Sequence, residues 1–130
     1  MSSISNAMRI SSSGMTAERF RMDIISSNIA GADTIRTPQQ DAYRRKDVVL
    51  VGDESGVRIQ GTQVDNSELR PVYEPGNPFA DGRGFIYYSN VKPVHEMVDM
   101  IGASRAYEAN VAAFNSARGM IRAALQIGKI

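Results

Sequence analysis

Two long stretches of this chain carry apolar residues at alternating steps of four and three, and between them that spacing is lost. In the first, from about Ser3 to Ala30, the recurring positions are Ile4, Met8, Ser11, Met15, Glu18, Met22, Ile25 and Ile29, six of the eight apolar. A repeat of about 3.5 residues predicts one stripe down a helix of the coiled-coil type. Serines ahead of the pattern can cap its start, and Gly31 stands where a helix C-cap usually falls. The internal Gly14 costs about 1 kcal/mol relative to alanine, which makes this helix weak by itself.

The second stretch follows Asn90, the expected N-cap, with Pro93 tolerable in the first turn. Its stripe is Met97, Met100, Ser104, Tyr107, Val111, Phe114, Arg118, Ile121 and Leu125, seven of the nine apolar. Glu96 and Asp99 near the start and Arg118, Arg122 and Lys129 near the end complement the helix dipole. At about 1.5 Å per residue, Pro93 to Gly128 would extend about 54 Å. Off the stripe, Gly102, Ala103, Ala106, Ala109, Ala112, Ala113, Ala117, Ala123 and Ala124 leave room for other helices to approach on several sides.

Between the helices, turn formers surround short β-prone runs: "DVVLV" at 47–51, "GVRIQGTQV" at 56–64 and "GFIYYS" at 84–89. Val57 and Ile59 alternate with Arg58 and Gln60, as on a half-buried strand. The loop "YEPGNPFADGRGF", 73–85, holds two prolines and three glycines, and Asn77 and Asp81 can close turns through their own side chains. The expected fold is mainly α with a small β insertion. Long N- and C-terminal helices (1–32 and 91–130) pack as a coiled-coil-like hairpin in one core, and 33–90 forms an extended, hairpin-bearing middle.

Composition narrows the function. With 15 basic and 14 acidic residues, the net charge of +1 gives no electrostatic case for nucleic acid or an anionic membrane. There is no cysteine, hence no thiolate nucleophile or ligand. The beginning "MSSISNAMRISSSG" does not have the pattern of a cleaved secretory signal, and no apolar run approaches the ~18 residues of a membrane span. One copy has too little turn-rich middle to wrap two such helices, so assembly into a larger helical body is expected.

Catalytic patterns are thin. "HEMVD" at 95–99 has Asp99 where a zinc helix of the HExxH kind needs its second imidazole, and His95 is the sole histidine. "DGRG" at 81–84 reads as a turn, and Arg44, Arg45 and Lys46 as a strand of subunit contact or solvent exposure. No catalytic, cofactor or metal residue is assigned. A helical adaptor or export chaperone, and a small hydrolase built on His95, Glu96 and Asp99, remain alternatives to a structural subunit.

Three segments carry a family resemblance. "SSNIAGADTIRTPQQDAYRRKDVVL" resembles the asparagine-rich signature after the first helix of bacterial flagellar axial proteins. "EMVDMIGASRAYEANVAAFNSARGMIRAALQIGK" resembles their shared C-terminal helix. "VYEPGNPFADGRGFI" is similar to the loop of the proximal rod members, and the short middle fits them too. The motif positions are Asn28, Ala30, Asp33, Tyr43, Tyr73, Pro75, Gly76, Asn77, Pro78, Asp81, Arg105, Tyr107 and Asn110.

The resemblance implies a non-enzymatic subunit of the proximal rod, exported by the flagellar type III apparatus with poorly ordered termini and transmitting torque once assembled. It implies, as partners, copies of the chain itself, other rod proteins, basal-body adaptor, MS-ring and export-gate components, and the export apparatus. Ile4, Met8, Met15, Met22, Ile25, Ile29, Met97, Met100, Tyr107, Val111, Phe114, Ile121 and Leu125 are then expected to carry subunit packing. Neither nucleic acid, a small-molecule substrate nor a membrane span is expected, and the implied location runs from the inner-membrane ring into the periplasm. Gly31 departs from the family's usual asparagine, and is expected to keep a positive φ at the helix end.

Overall fold

The computed structural model describes residues 3–128; Lys129, expected to complement the helix dipole, lies outside them. Helix α1 spans Ser3–Gly31, strands β1 to β4 span Lys46–Asp53, Gly56–Val64, Arg70–Tyr73 and Phe85–Tyr88, and helix α2 spans Pro93–Gly128. The mainly α architecture with a small strand-rich middle is the expected one. The chain divides into two compact units: Met1–Met22, Val48–Gly61 and Ile101–Ile130 form the first, and Asp23–Asp47 with Thr62–Met100 the second.

In the first unit, α1 and α2 run antiparallel. Ser3, Ile4 and Ala7 share a groove with Ala113, Ser116, Ala117 and Met120, and farther along α1, Ser12, Met15, Thr16 and Arg19 share one with Tyr107. Between them Gly14 meets Asn110, whose amide atoms lie 2.7 Å from where a Cβ would stand. The glycine that weakens the isolated helix therefore lets the pair approach closely here. A flanking face of α1 receives the β1–β2 hairpin at Ile10 and Ser13. Its two-residue connection makes the strands antiparallel, and Ser13 Oγ accepts the Val57 N–H at 3.0 Å while donating to the Ile10 carbonyl at 2.7 Å. Gly56, at φ +126°, supplies the turn conformation, and a Cβ there would stand 2.3 Å from Ser13 Oγ.

The inward face of α2 differs from its sequence stripe. Met100, Tyr107, Phe114 and Ile121 are half-buried, but the other inward row is Glu96, Ala103, Asn110 and Ala117, one residue back from Met97, Ser104, Val111 and Arg118. Small side chains admit close helix approach, so the seam selects alanine over the bulkier neighbour. Met97 and Leu125 stay exposed. On α1 the stripe runs along the buried side, with Ser11 and Ile25 buried and Ile4, Met8, Met15, Glu18, Met22 and Ile29 half-buried. Glu18 pairs locally with Arg21 at 3.2 Å, and Arg118 is exposed.

In the second unit β3 and β4 pair antiparallel, Arg70 opposite Tyr88 and Tyr73 opposite Phe85. Residues 34–36 extend along the other edge of β4, with Arg36 N–H donating to Tyr87 O at 2.8 Å and Ser89 N–H to Thr34 O at 3.0 Å. β3, "RPVY", was not among the expected strands. Pro71 lacks a donor, which suits an edge strand and hides it in the sequence. Ile25, Ala32, Ala42, Leu69, Ile86 and Val91 form the buried apolar core.

Two expected caps are corrected. Helix α2 begins at Pro93, and Lys92 supplies the carbonyl to Glu96 N–H at 3.1 Å; Asn90 is committed elsewhere, as described below. Gly31 is the last helical residue and has no positive φ. Its requirement is steric: a Cβ would stand 2.4 Å from Cγ of the Tyr43 ring. Thr34 caps the end instead, donating through Oγ1 to Gly31 O at 2.8 Å.

Candidate functional site

The second unit is held by a buried polar cluster, with an ordered loop elsewhere in the same unit. Asn28, on the last turns of α1, is 1% exposed. Its Nδ2 donates to Lys46 O at 2.9 Å and to Glu96 Oε2 at 3.1 Å. Its Oδ1 accepts from Lys46 N–H at 3.0 Å and Tyr43 OH at 2.9 Å. All four hydrogen-bonding positions of the amide are used, and two of them grip both backbone groups of one residue as a strand neighbour would. No other side chain of this size offers two donors and an acceptor in one plane.

Glu96, on the first turn of α2, is fully buried. Its other oxygen accepts from Arg45 Nε. Arg45 also meets Asp47 at 2.7 Å, and Asp65 and Asp99 each at 3.7 Å. Burial acts to lower the Arg45 pKa, but the hydrogen bonds to Glu96 and Asp47 outweigh it and hold the guanidinium above its ordinary value. Burial, and then the charge of Glu96, raise the Tyr43 phenol. Asn90 completes the ring: its Oδ1 accepts Arg45 N–H at 2.8 Å and its Nδ2 donates to Asp65 O at 2.9 Å. Among the described residues no buried side-chain polar atom is left without a partner.

This cluster joins the end of α1, the start of β1, the turn after β2 and the start of α2. Chemically it is a lock. Glu96, which "HEMVD" would offer as a general base, has both oxygens engaged, while His95 lies exposed beside it. Among the described residues no three side chains are placed to hold a metal ion.

The 73–85 loop is built by its two Asx turns. Asn77 Oδ1 accepts Phe79 N–H at 2.9 Å, and Asp81 Oδ1 accepts Arg83 N–H at 2.9 Å and Phe85 N–H at 3.0 Å. Tyr87 OH donates to Asp81 Oδ2 at 2.7 Å. The bond to Phe85 N–H, and then that from Tyr87, lower the Asp81 pKa. Gly84 at φ +89° sits under Tyr73 and Pro75, where a Cβ would stand 2.9 Å from the Tyr73 ring. Tyr73 meets Phe85 edge to face at 5.3 Å. Pro75, Gly76 and Pro78 face solvent with Tyr73 and Phe79, so the loop presents a fixed apolar rim.

The remaining motif positions scatter. Asn110 sits in the helix seam, Tyr107 is half-buried, and Ala30, Asp33 and Arg105 are exposed. Arg45, Glu96 and Asn90 belong to the cluster but were not among the expected site residues. The one sequence signal for them was an acid at the start of α2 following an arginine pair.

Long N- and C-terminal helices with a short β-bearing middle segment between them in sequence are the described elements, and the sequence comparisons place the chain among flagellar axial proteins. Residues 8–36 match the family model described as "Flagella basal body rod protein", and residues 83–127 match "Flagellar basal body rod FlgEFG protein C-terminal". Proteins named "Flagellar basal-body rod protein FlgC" from Bacillus subtilis (strain 168) and Escherichia coli O6:H1 are 38% and 35% identical, each match covering 95% of this chain and 97% of the relative. The FlgC of Borreliella burgdorferi is 38% identical, with 94% and 95% covered. The chain belongs to the FlgC family of flagellar basal-body rod proteins.

Proposed function

We propose that the chain is a structural subunit of the proximal rod, running from the inner-membrane ring into the periplasm. It is exported by the flagellar type III apparatus and passes torque through many subunit contacts in parallel. One observation carries this reading: α2 leaves Met97, Val98, Ile101, Met120 and Leu125 exposed, apolar surface that subunit contacts would cover. Covering them needs neighbours, and family membership points to copies of the chain and other rod proteins.

On this reading Met97 and Leu125, together with the half-buried stripe positions, serve packing between subunits, and the segments 1–32 and 91–130 act as one helical core. The 73–85 loop and the outward β1–β2 hairpin make contacts outside that core, toward adaptor, ring and export-gate components. No helix among the described residues is long and apolar enough to cross a membrane. The role is structural and not enzymatic.

The test is expression of the tagged chain in a flagellated bacterium whose own FlgC gene is deleted. Recovery of the chain in purified hook–basal bodies, with restored swimming, is expected. A chain that is made stably yet stays in the cytoplasm, with no rods formed, would reject the proposal.

A further inference from the structure

Asp81 and Gly82 form the sole Asp–Gly or Asn–Gly pair in the sequence. Such a pair carries its own chemistry. The Gly82 main-chain nitrogen can attack Cγ of the Asp81 carboxyl: a C–N bond forms, and the side-chain hydroxyl leaves with the amide proton as water. Water then opens the cyclic imide on one side or the other, giving back aspartate or leaving isoaspartate, in which the main chain runs through the side-chain carbon. Nothing is oxidised or reduced, and the mass is unchanged. A following glycine favours the attack, because it has no Cβ to obstruct the approach.

Neither packing nor backbone conformation demands glycine at 82, where φ is not positive and a Cβ would meet nothing within 4 Å. Asp81, by contrast, has every polar group engaged. Its N–H donates to Phe85 O at 2.8 Å, and its carbonyl accepts Gly84 N–H at 3.0 Å. Oδ1 accepts Arg83 N–H and Phe85 N–H, and Oδ2 accepts Tyr87 OH. Swinging Cγ onto the Gly82 nitrogen means releasing the carboxylate from three donors. The same bonds favour the ionised form, which lacks the hydroxyl that must leave.

We propose that Asp81–Gly82 is a latent modification site, converting to isoaspartate in the unfolded chain and held unreactive by the closed 73–85 loop. In the folded chain the reaction proceeds only through local opening, so its rate is that of the open loop multiplied by the open fraction. Isoaspartate lengthens the main chain by one carbon and shortens the side chain by one. Oδ1 then no longer serves both Arg83 and Phe85, and a chain that converts before folding has lost the turn that closes its loop. This goes beyond the rod reading and does not depend on it.

The test incubates the whole purified chain for weeks near neutral pH, folded in buffer and unfolded in guanidinium chloride. Isoaspartate at residue 81 is read by peptide mapping with electron-transfer fragmentation; asparagine deamidation elsewhere changes the mass and is thereby told apart. Formation is expected to be at least about tenfold slower in the folded chain. Tyr87→Phe removes the bond to Oδ2 while keeping the ring beside Arg36, and should speed the reaction about threefold in the folded chain with no change in the unfolded one. Gly82→Ala fits the loop without a clash and should slow the unfolded reaction several-fold. Equal rates in folded and unfolded chain, no acceleration in folded Tyr87→Phe, or an unfolded rate indifferent to Gly82→Ala would overturn the proposal. None of these readouts involves assembly, so failure here leaves the rod reading standing, and a chain absent from basal bodies leaves this site to be decided by its own rates.

Discussion

Replacing Asn28 by alanine removes four hydrogen bonds at once and should be among the most damaging single changes in the second unit. Lys46 is exposed and Tyr43 half-buried, so their three groups regain some water, at about 1 kcal/mol each. Glu96 is fully buried and keeps only Arg45, so its unpaired oxygen adds about 2 kcal/mol. Together the loss is about 4–5 kcal/mol, close to the practical maximum for a point mutation. With an unfolding entropy of about 2.1 cal/mol/K per residue, that lowers the Tm by about 15 °C. Urea titration and thermal melting by far-UV circular dichroism measure both quantities. Combining Asn28→Ala with Glu96→Gln isolates the pair, and a coupling of at least about 1 kcal/mol is expected. A total loss below about 1 kcal/mol, with no coupling, would refute the reasoning, because it would mean that water already serves these groups.

Two glycines in helices should respond in opposite directions: Gly31→Ala drives a methyl into the Tyr43 ring and should cost about 1–3 kcal/mol in urea titration. Gly102→Ala meets nothing within 4 Å and should stabilise the chain by about 0.5–1 kcal/mol. The 73–85 loop should loosen in acid. Asp81 has a folded pKa below its unfolded value, so its contribution is complete above about pH 3.8 and disappears as pH falls through the lower folded value. Amide exchange at Arg83 and Phe85 should show protection lost in that range, and already lost near neutrality in Asp81→Ala. Phe114→Asp, on the inward row of α2, should abolish rod assembly, and normal swimming on soft agar would argue against its packing role.

Periodicity made both helices legible, because a 3.5-residue repeat survives even with Gly14 and Glu18 inside it. Loop chemistry was legible too: Asn77 and Asp81 bond as their side chains allow in any protein. The inward face of α2 was only partly so, because ranking positions by apolar bulk favours Met97 and Leu125 over Ala103 and Ala117, whereas close helix approach rewards small size. Gly31 was misread for a related reason. A glycine after a helix usually signals φ, and nothing local announces a tyrosine ring twelve residues on. Of the Asn28–Glu96–Arg45 cluster only Asn28, with Tyr43, was marked, and by family motif; Arg45 and Glu96 were not joined to it, since a charged residue is expected outside unless a partner is known, and here the partners come from distant segments.

That separation has a consequence in time. Asn28 and Glu96 are 68 positions apart, and the cluster is incomplete until every segment from the end of α1 to the first turn of α2 is present. A chain threaded N-terminus first through a narrow conduit would bring Asn28 out early and leave its amide facing water. Nothing could engage it fully until three quarters of the polypeptide had followed. The second unit would then close only when the carboxylate that Arg45 and Asn28 share had arrived, so a truncated or stalled chain would leave both without that partner.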